Sequence, residues 1–135
     1  VDQHHTVEDL GIVFGECLKK ALGDKRGINR NGFCIYPMDE SLVMISLDIC
    51  NRGYLVFDFD FHQEKTGSFE NRLIKDFFQS FCSSGGITLH MKKFYGYSDH
   101  HSIEAAFKGL GKSLYQACSK NPDLQVMIPS TKGLL

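Results

Sequence analysis

"HHSIEAAFKGLGKSLYQAC", residues 100–118, has a counterpart near the other end of the chain in "HHTVEDLGIVFGECLKKAL", residues 4–22. His4-His5-Thr6-Val7-Glu8 matches His100-His101-Ser102-Ile103-Glu104 position for position. The match continues without a gap through Phe14 and Leu110, Gly15 and Gly111, Leu18 and Leu114, Ala21 and Ala117. Val7, Leu10, Phe14, Cys17, Leu18 and Ala21 recur at three- and four-residue steps, which predicts an amphipathic helix ending at Gly23. The second copy predicts another helix, stopped near Asn121-Pro122. A glycine inside a helix costs about 1 kcal/mol relative to alanine. Its recurrence at Gly15 and Gly111 predicts a close helix–helix approach in both copies. The chain therefore reads as an internal duplication, with repeat units around 4–22 and 100–118.

The intervening sequence supplies the strands. In "FCIYPMDESLVMISLDICNRGYLVFDFDF", residues 33–61, Val43, Ile45, Leu47 and Ile49 alternate with Met44, Ser46 and Asp48. After the turn signal "NRG" the alternation resumes with Leu55, Phe57, Phe59 and Phe61, which predicts an antiparallel pair with one buried face. "SFENRLIKDFFQSFCSSGG", residues 68–86, predicts a helix capped by Ser68, with Phe69, Leu73, Phe77 and Phe81 on one stripe. "ITLHMKKFY", residues 87–95, predicts a further strand carrying His90. Helices on one side of an antiparallel sheet make the class α+β.

At 135 residues, 42% hydrophobic and 23% charged, the chain is one domain's worth of ordinary globular composition. A net charge of −1 gives no reason to expect nucleic acid or a membrane surface as partner. No apolar run approaches the roughly 18 residues of a membrane span. Cys17, Cys34, Cys50, Cys82 and Cys118 are odd in number and widely spaced, which predicts free, mostly buried thiols and a cytoplasmic location.

Four of the six histidines sit in the two H-H-x-x-E units. One such unit alone reads as a polar helix start; two at the same spacing point to metal. Residues four apart share a helix face, so His4 with Glu8, and His100 with Glu104, can each chelate an ion. The adjacent His5 and His101 point roughly 100° away and are free to reach a different ion. Two helices so equipped build two metal sites with exchanged ligands. Imidazole and carboxylate without thiolate suit Mn, Fe, Co or Zn. His90 is the natural additional ligand, and His62, in a polar loop, reads as a surface residue. "PSTKG", residues 129–133, offers a hydroxyl and an ammonium as an anion cradle. On the residues alone, Arg30 and Arg52 read as solvated arginines in turns.

In combination, "HHTVED", "MDE", the strand segment "LH", "HHSIEAAFK" and "STKG", in this order, resemble imidazoleglycerol-phosphate dehydratase, an enzyme of histidine biosynthesis. The resemblance runs from Val1 to Leu135. It implies a longer family chain, with a further N-terminal segment bearing its own histidine motif before Val1. It implies a duplicated half-domain of antiparallel β-sheets packed on a central layer of helices, assembled into a homo-oligomer of 24 subunits. Two manganese ions are implied per active site, at subunit boundaries. Carried over, the ligands are His4, His5, Glu8, His90, His100, His101 and Glu104, with an eighth in the preceding segment. The expected grouping is His4, Glu8, His90 and His101 on one ion, and His5, His100, Glu104 and the further histidine on the other. The family's phosphate contacts map to Arg30, Arg52, Ser130 and Lys132. Gln3 departs from the aspartate often found before the histidine pair.

The implied reaction converts D-erythro-imidazole glycerol phosphate to imidazole acetol phosphate with loss of water. The carbon losing its proton bears no carbonyl, so the expectation is that the metals hold the ring as imidazolate and the ring expels the hydroxyl. Glu104 and Glu8 are the candidates for proton transfer, since a carboxylate can alternate between ligand and base. Two alternatives accompany this reading: a two-metal phosphoester hydrolase, and a metal-assembled but catalytically incomplete fragment.

Overall fold

The structure is a computed structural model that describes residues 2–124 and 127–133. Val1 and parts of the C-terminal tail (125–126 and 134–135) lie outside the described residues. The two repeat stretches form helices of equal length and equal offset: α1 spans Gln3–Leu22 and α3 spans Asp99–Cys118. Their caps correspond as well. Asp2 accepts the backbone N–H of His5, and Ser98 accepts that of His101. Each side chain thereby satisfies an amide that the first helical turn leaves unpaired.

Strands β1 (Asn31–Met38) and β2 (Ser41–Ile49) form a hairpin whose turn is Asp39-Glu40. β3 spans Tyr54–Asp58, β4 Lys65–Thr66, β5 Phe69–Glu70, and β6 Ile87–Tyr95. The main sheet runs β1-β2-β6-β3, and β4 pairs only with β5. The expected antiparallel pairing of 43–49 with 55–61 does not occur. β3 instead lies parallel to β6, Val56 opposite His90, so the sheet is mixed. Phe59 and Phe61 fall beyond the strand and stack near Phe57, with Phe57 and Phe59 centroids 4.6 Å apart. Alternation correctly marked an inward face but could not say which neighbour the strand would join.

Helix α2 runs Leu73–Gly85, later than expected, because Phe69-Glu70 pairs with Lys65-Thr66 before the helix begins. Ser68 is therefore not its cap; Arg72 holds that place without a side-chain capping bond. Gly86, at φ 67°, ends the helix in the left-handed region, and its N–H returns to the Cys82 carbonyl.

The core lies between the sheet and α2 and α3. Val43, Ile45, Leu47, Ile49, Ile87, Leu89 and Met91 point inward and meet Phe78, Phe81, Ala105, Ala106 and Leu110. α3 packs on β1 and β2, α2 on β3 and β6, and α1 rests on α2. The two glycines of the repeat behave differently. A Cβ at Gly15 would sit 2.7 Å from both the Phe81 carbonyl and the Gly85 nitrogen, so the close approach of α1 to α2 requires glycine there. Gly111 is open, with nothing within 4 Å, so the approach expected in the second copy is absent. There the sheet-facing glycine is Gly109, against Ile45. Of the five free cysteines, only Cys50 and Cys82 are buried; Cys17 is exposed.

Candidate active site

Both H-H-x-x-E units stand on the first turns of their helices with matching geometry. His4 Nε2 lies 3.8 Å from Glu8 Oε2, and His100 Nε2 lies 3.4 Å from Glu104 Oε2. Adjacent imidazoles are edge-on in both copies, their centroids 5.5 Å apart at His4–His5 and 5.9 Å at His100–His101. Each helix thus presents a histidine–carboxylate pair on one face and a second imidazole turned away. In kind and spacing these donors fit a divalent transition metal.

The surroundings of the two units differ. His4 Nδ1 is 3.2 Å from Asp76 on α2. In the second unit the adjacent histidine is the supported one: His101 Nδ1 is 2.8 Å from Glu40 Oε2 in the β1–β2 turn. The His101 hydrogen bond holds the Glu40 carboxyl down to about 2, and the same contact raises the His101 imidazole above its ordinary value. Glu104 is also paired with Lys108, 2.7 Å away and one helical turn on. That ammonium lowers the Glu104 carboxyl, and the carboxylate in turn raises Lys108.

One chain does not gather the expected ligand sets. Among the described residues, no three His, Cys, Asp or Glu side chains are grouped to hold a metal. His90 shows why. It follows Leu89 and precedes Met91, both buried against the helices, so it projects from the outer face of the sheet. Across that face Phe33, Ser46, His90 and Val56 form one row, and Phe33 and Ile35 are largely exposed beside it. His62 is exposed as expected, its Nε2 3.2 Å from the Gly96 carbonyl oxygen.

The four expected phosphate contacts do converge. Arg30, Arg52, Ser130 and Lys132 line one pocket of about 430 Å³, with Cys50, Asn51 and Thr131. Arg30 is not a solvated arginine. It takes a positive φ of 72°, grips Asp48 at 2.6 and 2.9 Å, and donates to the Pro129 carbonyl at 2.8 Å. Arg52 is exposed, and the Lys132 backbone N–H returns to Ser130 Oγ at 3.3 Å. The pocket is a cationic hollow whose tail wall is tied down by Arg30.

The model of imidazoleglycerol-phosphate dehydratase matches residues 1–114. The chain belongs to the imidazoleglycerol-phosphate dehydratase family. The imidazoleglycerol-phosphate dehydratase of Clostridium botulinum is 53% identical over 135 residues, all of this chain and 68% of that one. That of Lacticaseibacillus casei is 50% identical, over all of this chain and 69% of its own. Among solved structures, the Pyrococcus furiosus enzyme superposes with a TM-score of 0.88 at 37% identity, covering 100% of this chain and 73% of that one. The Staphylococcus aureus enzyme does so at 0.86 and 37%, covering 89% and 70%. Imidazoleglycerol-phosphate dehydratases are hydro-lyases of histidine biosynthesis, and the α+β architecture here is theirs.

Three residues of the site escaped the sequence reading, one of them Asp76, whose partner His4 lies 72 positions away. Lys108 extends the second unit to H-H-x-x-E-x-x-x-K, a spacing that was available as an i,i+4 pair. Glu40 stands in the "MDE" motif, but nothing there points to His101, 61 positions away.

Proposed function

We propose that the protein dehydrates D-erythro-imidazole glycerol phosphate to imidazole acetol phosphate with two manganese ions per active site. The observation that carries the metal-dependent reading is the pair of equally spaced histidine–glutamate pairs at the starts of α1 and α3. The ligands would be His4, His5, Glu8, His90, His100, His101 and Glu104. Bound there, the ions would act as Lewis acids on the substrate's imidazole.

The chain's own side chains divide the remaining work. Arg52, Ser130 and Lys132 bind the phosphate, and Arg30 keeps Ser130 and Lys132 in place through the Pro129 carbonyl. Fixing the phosphate aligns the glycerol carbons with the histidine–glutamate units. Glu104 and Glu8 move the proton. Lys108 pairs with Glu104 and favours its ionised form.

His90, exposed among Phe33, Ile35 and Val56 on the outer sheet face, supports sites shared between copies in a homo-oligomer, 24 subunits in the complete assembly. A cytoplasmic location accords with the free thiols. The hydrolase alternative loses its support with the family assignment. A second reading keeps some support, because among the described residues no three candidate ligands meet: metal-driven assembly without turnover.

The deciding experiment strips metal with a chelator, restores manganese, and measures both oligomeric mass and ketone formation from imidazole glycerol phosphate. Restored turnover together with large particles is the expected result. Large particles without turnover, in wild type, would establish the second reading. A Glu104→Gln protein that binds manganese yet keeps full turnover would remove Glu104 from proton transfer.

A further inference from the structure

His101 is the one imidazole of the two units whose ring nitrogen meets a carboxylate that is itself fixed on both oxygens. Glu40 Oε2 is 2.8 Å from His101 Nδ1, while Oε1 accepts the Ser98 N–H at 2.8 Å and the Ser41 hydroxyl at 3.1 Å. Ser41 is buried and meets buried Ser102 at 3.2 Å, and Ser102 donates to the Ser98 carbonyl. Gly96 closes over this turn. Any Cβ there would fall 2.2 Å from Ser41 Oγ, and its φ is 136°. The β1–β2 turn is thereby locked to the start of α3 by a chain of buried serines.

An ionised carboxylate only accepts hydrogen bonds, so the nitrogen facing Glu40 carries the hydrogen and Nε2 keeps its lone pair. Asp39 Oδ2 lies 3.7 Å from Nε2, beyond hydrogen-bond length, which leaves that lone pair uncommitted. His5, the counterpart of His101 in the first unit, is exposed, and among the described residues its ring meets His4.

We propose that Glu40 is a positioning residue: it fixes the tautomer and ring plane of His101 so that Nε2 is presented to a divalent cation. This rests on the metal-binding reading above. It adds that the duplicated units are unequal, the α3 unit being oriented in advance by the β1–β2 turn.

The test uses nitrogen-labelled, metal-free protein above the imidazole titration range, with the His101 signals identified as those missing from His101→Ala. Wild type is expected to show His101 as the Nδ1–H tautomer, opposite to the preference of a free histidine side chain. Glu40→Ala is expected to shift it toward Nε2–H and weaken manganese binding, measured by calorimetry, roughly 10–100-fold. Glu40→Gln, whose amide oxygen can accept from Nδ1–H, is expected to restore most of the tautomer.

An Nε2–H tautomer in wild type overturns the proposal whether or not the alanine variant folds. So does a folded Glu40→Ala protein with the tautomer unchanged. Absence of manganese binding in wild type overturns the metal reading instead, while the tautomer still reports what Glu40 does to the ring.

Discussion

Arg30 holds Asp48 through two parallel hydrogen bonds, at 2.6 and 2.9 Å, and both side chains are about three-quarters shielded from water. The third bond of the same guanidinium, to Pro129, makes this ion pair the tether of the tail. Asp48→Asn keeps the shape but removes the charge and one of the two acceptors. It should cost about 1–2 kcal/mol of unfolding free energy in urea, allowing for partial exposure. It should also speed protease cleavage around residues 129–133. A variant with unchanged stability and unchanged cleavage would show that the tether contributes nothing.

The two repeat glycines offer an internal comparison. Gly15→Ala forces a methyl against backbone of α2, whose atoms cannot swing aside, and should destabilise by about 1–3 kcal/mol. Gly111→Ala enters open space in a helix interior and should stabilise by about 1 kcal/mol. Thermal melts of the two variants, moving in opposite directions, check the pair. Equal shifts would mean that the repeat is structurally symmetric after all.

Asp99 is buried at the first turn of α3, where its carboxylate accepts the backbone N–H groups of His62 and Gln63 and the Asn71 amide. Asp99→Ala strands those donors. It should cost roughly 2–4 kcal/mol, several times the loss of an exposed bond. Amide exchange at His62 and Gln63 should accelerate well beyond the change in global stability. If those amides stay as protected as in wild type, the loop is held by something else.

Thiol reactivity should separate the cysteines. The nucleophile is the thiolate, and burial pushes the Cys82 thiol up to about 12. Raising the pH from neutral to 9 therefore leaves Cys82 protonated and unlabelled in folded protein. Exposed Cys17 should react readily with iodoacetamide over the same interval. Mass mapping of labelled peptides checks this, and early labelling at Cys82 would contradict the burial.

Helices and repeat were legible because their signals are local: apolar steps of three and four, a motif repeated at one spacing, and a glycine stop. The two histidine–glutamate pairs were legible for the same reason, since His4 with Glu8 and His100 with Glu104 are one turn apart. What could not be read is what depends on partners remote in sequence. Leu55 and Phe57 announce an inward face, yet nothing in them names β6 as the neighbour. Ser68 looks like a cap until Phe69-Glu70 is seen to pair with Lys65-Thr66. Gly111 copies Gly15 in sequence, but the helix that would crowd it lies elsewhere. Arg30 looked solvated because Asp48 and Pro129 are 18 and 99 positions away.

The parallel pairing of β3 with β6 also sets an order of events on the ribosome. Tyr54–Asp58 emerges long before Ile87–Tyr95, and its hydrogen-bond partner does not exist until α2 has followed it out. During that interval Phe57, Phe59 and Phe61 lack β6, the neighbour that β3 joins in the folded sheet, and a strand closed late by a distant partner is slow to pair. The nascent chain must carry this aromatic cluster unsheltered. Chaperones and neighbouring nascent chains therefore meet the Phe57–Phe61 segment before the enzyme's own last strand does.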